Sequence, residues 1–157
     1  MYKNILHATD LSENHFGYCE KALQIAKSLN AKLYIMHVIE SPGSLQLAQG
    51  LGFAEMYNPS EALASASQVL KIIGESLNLP EEQLFAEVGS IKEHVLKKVI
   101  ELNCNLIIIG RHEATKLPEF FQNRLPINCG NYPPSCRISF KLFVLSHHQN
   151  WESKENH

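Results

Sequence analysis

Leu106-Ile-Ile-Ile-Gly110-Arg-His112 is a run of four apolar residues, three of them β-branched, that leads directly into a glycine. An unbroken apolar run of this length is typical of a strand that is buried on both faces, as in a parallel sheet. A glycine at the end of such a strand allows a sharp turn or the close approach of a ligand. Since ligands of open parallel sheets bind beyond the carboxyl ends of the strands, we predict a crevice beyond Gly110.

Length and composition limit the class of protein. The chain has 157 residues, of which 45% are hydrophobic and 19% charged, and its net charge is −2. This length predicts one domain with a substantial core. The absence of a basic excess argues against general nucleic-acid binding. No stretch has the roughly 18 to 20 apolar residues of a membrane span, and the first residues do not resemble a signal peptide. We therefore expect a cytoplasmic protein without nucleic-acid or membrane partners.

Cysteine and histidine spacing predicts neither a metal site nor a catalytic site. Cys19, Cys104, Cys129 and Cys136 contain no C-x-x-C pair, so free and mostly buried thiols are expected. His112 has no serine, cysteine or second carboxylate placed beside it by spacing, and this argues against a general base.

The remaining pattern alternates strands and helices. Four more strands are predicted from apolar stretches at residues 3–8, 32–39, 83–88 and 138–145. Up to Gly110, strands alternate with helices along the chain. This alternation predicts an α/β fold, an open doubly wound parallel five-stranded sheet with helices on both faces. If the strand order reverses between the first strand and the Leu106 strand, Asp10 and Gly110 lie on opposite sides of the crevice.

Local signals mark the ends of the helices. Ser12 is the expected N-cap of the first helix, and Asn58 and Ser90 are expected to cap the next two. Asn30, Asn78 and Asn103 are placed where helices end. Spacing predicts that the first helix buries Phe16, Cys19, Leu23 and Ala26. Residues 41–57 contain three glycines and a proline, and they predict a long loop.

Three motifs in order carry a resemblance to a known family. They are Leu6-His-Ala-Thr-Asp10-Leu-Ser12, Met36-His-Val38 and Asn105-Leu-Ile-Ile-Ile-Gly110-Arg-His112. Over about residues 1 to 117 the sequence resembles the universal stress protein family. The resemblance implies a Rossmann-like, adenine-nucleotide α-hydrolase-like sheet and a cytoplasmic homodimer, often paired through the last strand. It also implies a role in stress survival without enzymatic turnover, and ATP or a related nucleotide as the ligand of many members.

The resemblance also implies a nucleotide-binding set of eight residues. The family's aspartate beside adenosine corresponds to Asp10, and the residue whose backbone contacts adenine corresponds to Val38. The complete set is Ala8, Thr9, Asp10, Val38, Ile109, Gly110, Arg111 and His112. From the residues alone, Asp10 could equally be a turn residue and Gly110 a strand-end turn. His37 is expected to be a core histidine.

The sequence departs from the family where phosphate would bind. The family's loop is Gly-x-x-Gly followed downstream by Gly-Ser or Gly-Thr, because exposed backbone N–H groups hold the phosphates. Here Glu113 takes the second glycine position, and Asn123-Arg124 take the final pair. A carboxylate about 4 Å from a phosphate costs about 1 kcal/mol in water-like surroundings. We therefore expect ATP or AMP to bind weakly or not at all, with the base-and-ribose half of the site retained.

Two functions follow, and a third is disfavoured. The first is a non-enzymatic dimeric stress protein with an unknown protein partner. The alternative is a nucleotide-gated switch that binds ATP or AMP. An enzyme of the related α-hydrolase-like fold would need a glycine-rich phosphate loop early in the chain, and the Ala8 to Ser12 turn has no glycine. In either case we expect dimers that pair through the apolar segment that begins at Ile138 and ends at Leu145.

The carboxyl-terminal third does not follow the family pattern. We place the domain at residues 1–146 and a polar, disordered tail at residues 147–157. Residues 113–136 are atypical because their prolines break the helix that the family has there. A change of reading frame near residues 113–125 would explain the departure, and simple divergence is the alternative.

Overall fold

The computed structural model of the chain describes residues 1–12, 14–40, 51, 58–111 and 141–146. Its strands are β1 (Asn4–Ala8), β2 (Lys32–Ile39), β3 (Leu84–Val88), β4 (Leu106–Arg111) and β5 (Lys141–Ser146). Its helices are α1 (His15–Ser28), α2 (Pro59–Leu77) and α3 (Ile91–Glu101), with a 3₁₀ turn at Glu81–Gln83. All strand pairs are parallel, in the order β3-β2-β1-β4-β5. The predicted five-stranded parallel α/β fold is confirmed.

The core has two halves, one on each face of the sheet. Along β1, Ile5 packs in a cluster with residues of α1 and α2, whereas Leu6 packs in a second cluster with residues of α3. We call these the α1/α2 face and the α3 face. Strand β4 alternates in the same way, and its four apolar residues are at most 6% exposed. The continuous apolar run of β4 is therefore explained by burial on both faces, and helices cover both faces as predicted.

Helix α1 begins later than predicted. Its first residue is His15, and its N-cap is Asn14, which makes no side-chain capping bond. Ser12, the predicted N-cap, lies in the preceding turn, where its N–H donates to Oδ1 of Asp10 over 2.9 Å. The prediction was wrong because the carboxylate of Asp10 holds Ser12 in a turn of its own before the helix can start.

The buried face of α1 also differs from the prediction. The buried residues are Tyr18, Cys19, Ala22 and Ala26, and Leu23 is half-buried against the same cluster. Phe16 is 39% exposed, so its predicted burial was wrong. At 100° per residue, Phe16 lies about 110° from the centre of the face that the buried residues form.

Helices α2 and α3 start where the sequence predicted. The side chain of Asn58 accepts a hydrogen bond from the N–H of Ser60 over 3.1 Å, and Oγ of Ser90 accepts one from the N–H of Glu93 over 3.5 Å. The three asparagines that were predicted to end helices all adopt left-handed φ angles of 51° to 55°; they are Asn30, Asn78 and Asn103. No helix of the described ranges is long and apolar enough to cross a membrane.

Strand β5 completes the sheet beside β4. The register runs in parallel from Leu106 opposite Lys141 to Arg111 opposite Ser146. The predicted fifth strand is thus present from Lys141 onwards. The predicted loop at residues 41–57, apart from Leu51, the atypical segment at 113–136 and the tail at 147–157 lie outside the described residues.

Helix α1 approaches β4 closely at a glycine. A Cβ atom on Gly110 would lie 2.6 Å from Cδ2 of Tyr18, which is a distance that real Cβ contacts do not show. Among the described glycines, Gly89 is the one with positive φ, so the backbone conformation does not require glycine at position 110. Position 110 requires a glycine because the ring of Tyr18 packs against it.

The substitution Gly110→Ala should therefore destabilise the fold by about 2 kcal/mol, because the added methyl group overpacks the contact with Tyr18. Urea unfolding measures this change in the free energy of unfolding. In a Tyr18→Ala background the same substitution should cost almost nothing, because the ring is gone. An equal cost in both backgrounds would contradict the packing explanation.

Candidate functional site

The predicted crevice belongs where the strand order reverses. From β1 the chain proceeds outward through β2 and β3, and then crosses back to β4 on the other side of β1. The carboxyl ends of β1 and β4 are thus neighbours that feed connections running in opposite directions, which is the place where open α/β sheets bind ligands. Since Ala8 pairs with Ile109, Asp10 and Gly110 follow at the same edge of the sheet. The sequence placed them there correctly.

The predicted site residues divide between the two faces of the sheet. Ala8, Val38 and Ile109 belong to the apolar cluster on the α3 face, and Val38 and Ile109 are 8% and 6% exposed. By strand alternation Thr9 and Gly110 lie on the α1/α2 face. The structure therefore places three of the predicted residues in one apolar cluster. Arg111 is the last residue of β4, and His112 lies outside the described residues.

Asp10 is held in a turn but keeps one oxygen free. Its Oδ1 accepts a hydrogen bond from the N–H of Ser12, so Asp10 is a turn residue, which was one of the two interpretations of the sequence. Within residues 1–12 and the other described ranges, Oδ2 has no hydrogen-bond partner, and the side chain is exposed. Asp10 can therefore shape the turn and still accept a hydrogen bond from a ligand.

The turn between β1 and α1 is strained. Leu11 has a φ of 53°, a conformation that costs a residue with a Cβ atom about 1 to 2 kcal/mol. Its N–H donates to Oγ1 of Thr9 over 3.2 Å, and its side chain packs against the cluster on the α1/α2 face. The amides of Leu11 and Ser12 are thus used by side chains of the turn itself. They do not form an open nest for an anion.

His37 ties β2 to this turn. Its Nδ1 lies 2.8 Å from the carbonyl oxygen of Thr9. Because a carbonyl oxygen only accepts hydrogen bonds, Nδ1 carries the hydrogen. His37 was expected to be a core residue, and it is half-buried, with a structural hydrogen bond that fixes the end of β1.

His7 was not singled out from the sequence, although it is the most completely buried polar residue near the crevice. It is 0% exposed, and its Nδ1 lies 3.0 Å from the carbonyl oxygen of Ile108 on β4. Burial lowers its pKa to about 4, although the bond to Ile108 and the charge of Asp10 both act to raise it. Its other nitrogen, Nε2, is buried and has no hydrogen-bond partner within the described residues. A histidine inside an otherwise apolar strand was the signal that could have identified it.

The described cysteines are buried, as expected. Cys19 is 0% and Cys104 is 4% exposed, and burial raises the pKa of each thiol to about 12. Both are therefore held as unreactive thiols. Cys129 and Cys136 lie outside the described residues. Within the described part of the chain, no three or more of histidine, cysteine, aspartate and glutamate come together as metal ligands.

Comparison with known proteins gives the same grouping from sequence and from structure. The model of the universal stress protein family matches residues 1–124. Universal stress protein A homolog 1 of Coxiella burnetii is 33% identical over 127 residues, which cover 78% of this chain and 85% of that protein. Universal stress protein A homolog of Haemophilus influenzae is 30% identical over 114 residues, covering 72% and 79%.

Solved structures share the fold. A universal stress protein in complex with cAMP has a TM-score of 0.50 at 17% identity, covering 92% of this chain and 97% of that one. The universal stress protein UspA from Lactobacillus plantarum has a TM-score of 0.51 at 19% identity, with the same coverage. At these identities the likeness concerns the fold alone. The match over residues 1–124, together with the curated relatives, shows that this chain belongs to the universal stress protein family.

Proposed function

We propose that the chain is a non-enzymatic, cytoplasmic stress-response protein that acts as a homodimer. Its crevice takes an adenine nucleotide through base and ribose, and holds phosphates weakly or not at all. The observation that carries this proposal concerns the turn at Asp10. Within the described residues, Oδ2 of Asp10 accepts no hydrogen bond, whereas the N–H groups of Leu11 and Ser12 are already hydrogen-bonded.

The base-and-ribose half is supported by the chemistry of the crevice walls. Ala8, Val38 and Ile109 lie in one apolar cluster, and the half-buried Ala8 offers the exposed part of it to the flat face of a purine. The exposed carboxylate of Asp10 offers an acceptor of the kind that ribose hydroxyls need. A protein of the same fold has been solved in complex with cAMP, which also carries adenine and ribose.

The weak phosphate half is supported by three features. The N–H groups of Leu11 and Ser12 are taken by side chains of their own turn, and so cannot hold a phosphate without breaking those bonds. The face of Gly110 that a phosphate loop would leave open is occupied by the ring of Tyr18. In the sequence, the second glycine of the family's loop is replaced by Glu113.

A binding role is supported by the state of the reactive side chains. Cys19 and Cys104 are neutral thiols because burial raises the pKa of each to about 12. The imidazole of His7 is buried in its neutral form and donates to a backbone carbonyl. These groups stabilise the fold, and none of them is positioned as a nucleophile or as a base for a bound nucleotide.

Thermal unfolding with nucleotides tests the proposed site. AMP at ten times its Kd should add about 1.4 kcal/mol of stability and raise the Tm by a few degrees. ATP with Mg²⁺ at the same concentration should give a smaller shift, because its extra phosphates find no donors. The change Asp10→Asn keeps the turn's acceptor but replaces Oδ2 with an NH₂ group, and should remove the AMP shift.

The matched control is Glu20→Gln, which removes one negative charge from an exposed position of α1. It should leave the AMP shift intact. A larger shift with ATP than with AMP would overturn the weak phosphate half and favour the nucleotide-gated switch. The absence of any shift would leave a dimer that acts through protein partners alone.

The homodimer is proposed from the position of β5 at the edge of the sheet. An edge strand presents unpaired N–H and C=O groups, and a second copy can satisfy them. Phe143 lies in the middle of β5, in register with Ile108.

Sedimentation should show a dimer for the unmodified protein and a monomer for Phe143→Glu, because a charge on this strand opposes its pairing. The control Ile72→Glu changes an exposed apolar residue of α2, 56% exposed, and should remain dimeric. A dimer that survives Phe143→Glu would refute pairing through β5.

A further inference from the structure

His7 lies at the centre of the sheet, on a strand with neighbours on both sides. It is 0% exposed, and strand alternation places its ring on the α1/α2 face, the face of Ile5. Its Nδ1 donates to the carbonyl oxygen of Ile108 over 3.0 Å. This bond joins β1 to β4, the two strands whose carboxyl ends flank the crevice.

Protonation of the other nitrogen of His7 is costly. With the hydrogen on Nδ1, the neutral ring presents only a lone pair at Nε2. In the part of the chain that the structure describes, Nε2 is buried and finds no hydrogen-bond acceptor or donor. Protonation would create a second N–H donor and a positive charge at that point. A buried donor without an acceptor is costly, and a buried charge more so.

The groups on the face of the sheet that His7 shares give an imidazolium little stabilisation. On the same face, α1 contributes Tyr18 and Cys19 to the buried cluster, and α2 contributes Leu70 and Ile73. Strand β2 contributes Ile35, with His37 two residues further along the same face. Burial raises the pKa of the Cys19 thiol to about 12, so it stays neutral. Asp10, which is exposed just beyond the end of β1, carries the one negative charge among the groups named here.

We infer that His7 is an acid trigger whose protonation lifts α1 from the sheet and thereby opens the crevice between β1 and β4. The imidazolium keeps its Nδ1 bond to Ile108, so the sheet itself has no reason to separate. Relief comes when water reaches Nε2, and α1 is the cover that can move. The turn before α1 is already strained at Leu11.

Movement of α1 changes the site directly. The ring of Tyr18 packs against Gly110, and the turn that carries Asp10 leads into α1. Opening of α1 therefore removes one wall of the crevice and displaces the carboxylate. The opening needs no nucleotide, so it stands independently of the proposed ligand.

The two described cysteines report on the two faces separately. Cys19 lies on α1 in the cluster of the α1/α2 face, and Cys104 lies in the cluster of the α3 face. Both are nearly inaccessible in the closed fold. Opening of α1 exposes Cys19 alone, whereas global unfolding exposes both thiols.

The experiment is thiol labelling with 4,4′-dithiodipyridine, which reacts in acid as well as at neutral pH, with each cysteine resolved by peptide mass spectrometry. Each rate is divided by that of the urea-unfolded chain at the same pH. The pKa of His7 rises from about 4 when closed to about 6.5 when exposed, so acid favours the open form. Between pH 7.5 and 4.5 the normalised Cys19 rate should rise on the order of 50-fold. It should exceed the normalised Cys104 rate throughout this range, because Cys104 is exposed by global unfolding alone.

The variant His7→Leu should abolish the rise, because nothing then titrates at this position. His94→Gln removes a half-buried histidine of α3 that is bonded to the carbonyl of Ser90, and should keep the rise. Equal normalised rates at Cys19 and Cys104 across this pH range, or a Cys19 rise that persists in His7→Leu, would overturn the inference. Should His7→Leu fail to fold, the ratio of the Cys19 rate to the Cys104 rate in the unmodified protein decides.

Discussion

The pairing of β1 with β4 is the interaction on which the rest of this structure depends. It brings the first strand against a strand about a hundred residues later, in a register from Ile5 opposite Leu106 to Ala8 opposite Ile109. Ile107 and Ile108 are 0% exposed, and burial of each side chain contributes about 2 kcal/mol. Because helices cover both faces, this one pairing organises both halves of the core. It also creates the reversal of strand order that defines the crevice.

The same pairing carries the unusual chemistry of the molecule. His7 donates across it to Ile108, and no described residue pairs with its second nitrogen. Just beyond it, Leu11 is held in a left-handed conformation by bonds within its own turn. Strain and unsatisfied groups persist only where the surrounding structure determines them, and they concentrate at functional sites. Their position in the second half of β1 and in the turn after it agrees with a functional site at the carboxyl ends of β1 and β4.

Features that depend on residues close together in the sequence could be predicted, whereas features that depend on tertiary packing could not. The starts of α2 and α3 were predicted because Asn58 and Ser90 cap amides two or three residues away. The start of α1 was not, because Asp10 competes for Ser12 in a turn that precedes the helix. The position of Gly110 at the end of β4 was predicted from the sequence. Its contact with Tyr18 was not, because tertiary packing determines that contact. The orphaned nitrogen of His7 likewise depends on what α1 and α2 bury, which no local pattern encodes.

The central claim is that function resides at the carboxyl ends of β1 and β4. The most direct test is an AMP titration of the ¹⁵N-labelled protein, followed by backbone amide chemical shifts. We expect the shift changes to concentrate at residues 8–12, Val38 and Gly110. The amide signals of Asn4 and Asn105, at the opposite edge of the sheet where β1 and β4 begin, should stay unchanged. Shifts that concentrate at that opposite edge, or along the outer surface of α3, would contradict it.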